Sequence, residues 1–406
     1  MANLQPFKAA RPVADKVHLV ATRSYVSYSA SKLRDKLEYN PYSFIHIINP
    51  EFGKKIKSKP NTRERFKMVR ERYEGFFSEG IFIRDKEDSF YIYRQLHESY
   101  SHTGIIAGVS VDDYLAGHVK IHEHTLAARE SMFKDYLNET DFNAEPVLLT
   151  FPDDGSFHVM LNPELSKATL NDFSTADRVR HQLWKISEPN IIAGIQRYFQ
   201  KVPNLYIGDG HHRCASSVML AKERRAKGIT GASDYFMSYL LPESDISIHP
   251  FHRLIKELGN YTELSFIDAL IKRFDLKAFS MMEIPEKRRQ FSLYLNNRWY
   301  GIDMTQMNIP ENLTDAQVLT DYILAPILQI EDLRNDQRIS FLGGADNALV
   351  AQQMVDKHQY KAAFLLYPVL PSELMAVSDR NEMMPPKSTW VEPKLRSGLT
   401  IYELDR

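Results

Sequence analysis

Two runs, FYIYRQLHE (90–98) and HTGIIAGVSV (102–111), alternate apolar with polar positions and are rich in aromatic and β-branched residues, so both predict strands. Upstream, TRERFKMVRERYEGFF (62–77) predicts a helix, while NPYSFIHIINPE (40–51), set between prolines, predicts an extended segment. From 104 to 245 strand and helix signals alternate. Residues 123–137, EHTLAARESMFKDYL, have helical apolar spacing. PVLLTF (146–151) and FHVML (157–161) flank PDDGS and predict a hairpin, and HQLWKI (181–186) predicts a strand. Ser187 and Pro189 then open the helix PNIIAGIQRYFQ, since serine caps a helix and proline fits its first turn. Leu205 to Ile207 predict a strand, His211 starts a helix that ends near Gly228, and DYFMSYLL (234–241) predicts the following strand.

After HPFHRLI (249–255) the pattern changes. ELSFIDALIKRF predicts an amphipathic helix, QFSLYLNNRWYGIDM a hairpin turning at Asn296-Asn297, and DAQVLTDYILAPILQ another helix. RISFLGG, DNALVAQQMVDKH, AAFLLYPV and PSELMAVSD then read as strand, helix, strand, helix. The tail NEMMPPKSTWVEPKLRSGLTIYEL (381–404), punctuated by prolines, is expected to run extended across the surface. The fold class is α+β (mixed α/β). Its expected parts are an N-terminal region 1–103, a core 104–254, an α+β subdomain 255–335, and a C-terminal α/β segment with its tail, 336–406.

Composition narrows the class. A chain of 406 residues that is 43% hydrophobic and 25% charged has an ordinary globular make-up and can bury a large core. A formal net charge of −1 with no basic tail argues against a nucleic-acid partner. One cysteine, Cys214, excludes an intramolecular disulfide and suits a reducing compartment. The start MANLQPFKAARP lacks the apolar core of a signal peptide, and no run has the apolar length of a membrane span. The expectation is a cytoplasmic protein without a membrane partner.

The densest chemistry lies in LYIGDGHHRCASSVML (205–220). Gly208 and Gly210 allow backbone conformations that a Cβ would oppose, and residues 211–213 open a helix whose first amides favour an anion. Arg213 adds a guanidinium fork for phosphate. Asp209 would repel an anion unless a cation lay between them, so Asp209, Mg2+ and phosphate form one coherent set. The plain alternative makes Asp209 the N-cap and the histidines ordinary polar residues. A P-loop is excluded, because Gly-x4-Gly-Lys is missing.

Four other features carry weaker signals. In GHVKIHEHT (117–125), His122 and His124 would share a strand face and, with His118, suggest a zinc-dependent hydrolase. Alternatively Glu123 is a general base, or the stretch is a polar strand end with Thr125 near a helix start. In HPFHRL (249–254), His252 and Arg253 face either a pocket or a surface turn. Lys387, Ser388 and Thr389 offer donors to a phosphate. Cys214 at a helix start is either an activated thiol or a packed small residue, as free cysteine behaves as a buried hydrophobe.

GIIAGVSVDDYLAGHVKIHEHT, LYIGDGHHRCASS, HPFHRLI and MPPKSTWVEPKLRSGLTIYEL, in this order over nearly the whole chain, resemble the domain of unknown function 1015 family. Arg11-Pro12 and NPYSFIHI look like its N-terminal landmarks. Where that family usually carries Pro-Pro-Tyr-Asp-Val, this chain has VATRSYVSYS. The Asp-Gly-His-His-Arg turn further resembles that of ADP-dependent free serine kinases, which implies a ParB/sulfiredoxin-like core with an additional α+β subdomain. In such kinases the turn holds nucleotide phosphates, its aspartate works with the metal, and an upstream glutamate is the base. Sulfiredoxin needs a cysteine where this chain has His211, so sulfinic acid repair is disfavoured. ParB-type DNA binding lacks its basic helix-turn-helix.

The resemblance therefore implies a nucleotide-dependent phosphotransferase acting on a small hydroxyl-bearing metabolite such as free serine. Glu123, Asp209 and His212 would be catalytic, Gly208, Gly210, His211 and Arg213 would hold ADP or ATP, and Asp209 would hold Mg2+. The alternatives are a non-catalytic nucleotide-binding regulatory module and the metal-dependent hydrolase on His118, His122 and His124.

Overall fold

Alternation of side chains along the strands builds the first half of the architecture. The computed structural model describes residues 2–345 and 347–405. They cluster into two units: Met1–Ile121, Thr125–Ile246 and Pro393–Arg406 in the first, His122–His124 and Ser247–Glu392 in the second. The sequence suggested four consecutive segments; the chain instead returns to its first unit at Pro393.

Among the described residues the first unit holds a nine-stranded mixed sheet. Its order is Val119–Lys120, Leu205–Asp209, Val147–Phe151, Tyr235–Pro242, Tyr100–Ser110, Phe90–His97, Arg180–Ile186, Asn171–Ser174, with Leu4–Gln5 added beside Tyr100–Ser110. One face is apolar: Phe90, Ile92, Ile105, Ala107, Leu149, Leu205 and Ile207 pack with Cys214 and Val218. The opposite positions carry Tyr91, Tyr93, Gln95, His181 and Tyr239, which are buried as well.

The C-terminal tail packs into this unit and corrects an expectation. It does not lie on the surface: Leu395, Leu399, Ile401, Tyr402 and Leu404 are buried. Gln95 Nε2 donates to the Lys394 carbonyl at 3.4 Å, Tyr402–Glu403 pairs with Phe142–Asn143, and Ile401 joins a cluster with Phe44, Tyr73 and Phe142. All six residues of LTIYEL are buried, Thr400 and Glu403 included.

Three local expectations also change. FHVML is no hairpin arm but part of the helix Ser156–Leu165. Phe157 and Leu161, four apart, are buried while Val159 is 70% exposed, and Asp153 and Asp154 accept the Phe157 and Ser156 amides. Within 40–51, Ile45–Ile48 is a short helix, with the Ser43 hydroxyl accepting from the Ile45 amide. The helix expected from 123 begins at Ala127, and Ser187 does not cap the helix Pro189–Phe199, whose N-cap position is Glu188. The strands Leu205–Asp209 and Tyr235–Pro242 are not neighbours: Val147–Phe151 lies between them, antiparallel to the first and parallel to the second.

The second unit is built on an antiparallel sheet in the order Asp275–Phe279, Arg298–Asp303, Gln290–Leu295, Ala362–Leu366, Ser247–Ile255, Ile339–Gly343, with Thr389–Glu392 paired to Ser247–Ile255. The hairpin turns at Asn296 and Asn297, both at positive φ, as asparagine tolerates. HPFHRL lies inside a strand rather than on a surface turn, and His252 and Arg253 are both buried. Asp346, the first residue of DNALVAQQMVDKH, lies outside the described residues; the helix runs over Asn347–Asp356. No helix among the described residues is long and apolar enough to cross a membrane.

Candidate functional site

The turn of interest starts from a buried strand. Leu205, Tyr206, Ile207 and Gly208 are buried, and pairing with Val147–Phe151 shifts between Ile207 and Asp209, which makes Gly208 the extra residue of a bulge. Gly210 then sits at φ +103° as the N-cap of the helix His211–Ala226. A Cβ there would lie 3.0 Å from the Arg213 guanidinium carbon, so both backbone and space call for glycine. The cap residue has no side chain to turn back on the helix, so this 16-residue helix presents its first turn without a side-chain cap.

Asp209 is not the N-cap, a position that Gly210 holds. Arg213 Nη2 donates to its carboxylate at 2.7 Å, and Lys394 Nζ lies 3.4 Å from its other oxygen. Arg213 Nη1 in turn donates to the carbonyls of Glu145, at 3.3 Å, and Pro146. The aspartate thus holds a guanidinium in place, and the guanidinium ties the turn to the start of the neighbouring strand. A cation placed at Asp209 would have to enter between two cations already there. Among the described residues no group of three or more His, Cys, Asp or Glu side chains is arranged to hold a metal. Arg213 and Lys394 thus stand at the carboxylate where the sequence reading expects Mg2+.

His212 Nε2 accepts from the Leu126 amide at 3.2 Å, so that nitrogen is unprotonated and the ring fixes the start of the helix Ala127–Thr140. Thr125, just before it, donates to Glu130 within the same helix start. His211 is buried, and Cys214 has no exposed surface. Burial pushes the Cys214 thiol well above its ordinary range, which leaves it a packing residue and not an activated thiol.

The structure brings Gly208, Asp209, Gly210, His211, His212 and Arg213 together on one turn. Glu123 is half-buried and belongs with the second unit, where the neighbouring His122 carbonyl accepts from the Met384 amide at 2.8 Å. His122 and His124 do not share a strand face: the strand ends at Lys120, His122 is 2% exposed and His124 is exposed. That removes the geometric basis for a zinc site on His118, His122 and His124. Lys394 stands beside Asp209 although nothing in the sequence points to it there. It is one lysine in a tail that reads as surface.

No curated protein matches the chain. Among solved structures, SbnI with a C-terminal truncation from Staphylococcus aureus is similar at 14% identity, over 72% of this chain and 85% of that one, with a TM-score of 0.39. A free serine kinase in complex with AMP is 14% identical over 74% of this chain and 92% of that one, with a TM-score of 0.35. A conserved hypothetical protein from Pyrococcus furiosus is 14% identical over 74% and 96%, with a TM-score of 0.34. The family model described as "Protein of unknown function (DUF1015)" matches residues 4–322, most of the sequence, and the chain belongs to that family.

Proposed function

We propose that the chain binds a nucleoside di- or triphosphate, ADP or ATP, at the 208–213 turn and transfers a phosphoryl group to a small hydroxyl-bearing metabolite such as free serine. The observation that carries this reading is the turn itself. Gly208 and Gly210 bring the backbone to the start of a long helix that no cap side chain closes, and Arg213 and Lys394 stand there with fixed positive charge. Phosphoryl transfer needs positioning and charge neutralisation more than covalent chemistry, which suits such a set.

In this reading Asp209 holds Arg213 and Lys394 toward the phosphates, and His211 lines the turn. His212 positions the 125–127 segment against it. Glu123 takes the hydroxyl proton. No step is assigned to a metal at Asp209. A second reading, nucleotide binding without transfer, is favoured by one observation: Arg213 and the His212 ring are already engaged in contacts that hold the fold. Calorimetry of the full chain with ADP and with ATP tests what the two readings share, and absence of binding by both nucleotides overturns both. A screen of hydroxyl-bearing acceptors, beginning with serine, separates them.

A further inference from the structure

Among the described residues Arg253 is the largest fully buried side chain. It sits in the strand Ser247–Ile255 of the second unit, paired with Phe341 on one side and Phe364 on the other. Its guanidinium lies 4.7 Å over the Phe341 ring. Nη1 donates to the carbonyls of Phe251 at 2.9 Å and Lys387 at 2.8 Å. Nε and Nη2 meet no hydrogen-bond partner among the described residues.

Those two nitrogens form one edge of the guanidinium, the edge that receives a carboxylate or phosphate side-on. The same chain uses that edge in this way elsewhere. Arg11 sets Nε and Nη2 on Asp85 at 3.1 and 2.9 Å, and Arg180 sets the same pair on Asp172 at 2.7 and 2.6 Å. At Arg253 no carboxylate of the described residues answers it. Burial alone acts on the group and pulls its pKa down from 12.5 to about 9. A buried guanidinium with no carboxylate partner among the described residues opposes folding, so a counter-anion from outside the chain has an electrostatic reason to bind.

The surroundings fit an anion. Lys387 is exposed at φ +57°, with its ammonium 5.6 Å over the Phe251 ring. The Ser388 hydroxyl is buried beside it, donating to the Pro385 carbonyl at 2.7 Å. Burial, and then Arg253, lower the pKa of the adjacent His252 to about 4, so it brings no charge near neutrality. The two motifs HPFHRL and MMPPKSTW, far apart in sequence, meet at the Lys387 carbonyl.

We propose that Arg253 anchors an oxyanion site in the second unit, taking the carboxylate or phosphate group of a small ligand side-on along Nε and Nη2. Since Arg253 has no exposed surface, the ligand enters by displacing the 386–388 segment.

The test follows the Arg253 Nε–H resonance in the full chain carrying isotope-labelled arginine. The resonance is assigned by its loss in Arg253→Met and Arg253→Lys; should neither variant fold, it is assigned through bonds from the backbone. Sodium phosphate, sodium acetate and sodium chloride are titrated at matched ionic strength. A saturable shift with phosphate alone identifies a phosphoryl ligand, and one with acetate, alone or as well, a carboxylate. The turn of the first unit also draws anions, so the titration is repeated in Arg213→Ala, where the Arg253 response must persist. No saturable shift with either oxyanion, or an equal shift with chloride, overturns the proposal. If Arg253→Lys folds, its affinity for the effective anion, read by calorimetry in the Arg213→Ala background, should fall about tenfold or more, because an ammonium cannot form the fork.

Discussion

Asp209 and Arg213 are joined across one helical turn: the Nη2 of the arginine donates to the carboxylate at 2.7 Å while its Nη1 holds the carbonyls of Glu145 and Pro146. The aspartate side chain is 43% exposed, so the pair adds little stability, below about 1 kcal/mol after solvent screening. Its effect is on orientation. Asp209→Asn should therefore shift the midpoint of thermal unfolding only slightly yet weaken ADP or ATP binding about tenfold, read by calorimetry. Undiminished nucleotide affinity in this variant would remove the orienting role given to Asp209.

Gly210→Ala should be costly. Its φ of +103° is poor for any side chain, and the added Cβ meets a guanidinium that two carbonyls hold in place. A loss of about 1–2 kcal/mol is expected in urea unfolding, together with loss of nucleotide binding. Gly194→Ala is the control. It lies in the helix Pro189–Phe199 with nothing within 4 Å of its Cβ, and should stabilise by up to about 1 kcal/mol. Equal effects at the two glycines would mean that the turn has no special demand.

Lys394 comes to the turn from the C-terminal tail, 3.4 Å from Asp209, with 35% of its side chain exposed. Replacing it with methionine keeps the stem and removes the charge. The unfolding midpoint should barely move, nucleotide affinity should drop several-fold, and the dependence of binding on salt should become shallower. A salt dependence identical to that of the unaltered chain would exclude Lys394 from the phosphate site.

The turn was legible because glycine and charged residues at a strand end leave few conformations open, and its strand and helix follow from apolar periodicity alone. What Asp209 does was not legible. Its partners, Arg213 Nη2 and Lys394, depend on rotamers and on a tail 185 residues away. The tail reads as surface because Pro385, Pro386 and Pro393 punctuate it and its apolar residues, Leu399, Ile401, Tyr402 and Leu404, keep no single period. FHVML was misjudged because Phe157 and Leu161 satisfy both periods, and only the aspartates before them favour the helix. Arg253 reads in sequence as a polar residue at a strand end; nothing local says that both its flanking strands bury it.

His181 gives a prediction in pH. Its ring has no exposed surface and lies between Tyr93, 5.9 Å away, and Phe173, 5.0 Å away. Nδ1 meets the Tyr93 hydroxyl at 2.7 Å and Nε2 the Thr175 hydroxyl at 3.0 Å. Burial, followed by the nearby Arg396, lowers its pKa from 6.5 to about 3, and burial takes His252 to about 4. Below 6.5 the unfolded chain takes up protons that these two folded rings refuse. Stability is therefore full above 6.5 and falls as the pH drops toward the folded values. Asp177 acts in the same direction at lower pH. Burial pushes its carboxyl up, but the Thr175 hydroxyl, Arg396 and Arg23 outweigh that and hold it well below 3.8. At about pH 5 each histidine should cost about 2 kcal/mol relative to neutrality. His181→Gln, which keeps hydrogen-bonding capacity without a titrating ring, should halve that loss in urea unfolding followed from neutral pH to about pH 5. An unchanged pH dependence in this variant would mean that His181 is protonated in the folded chain or is not buried as described.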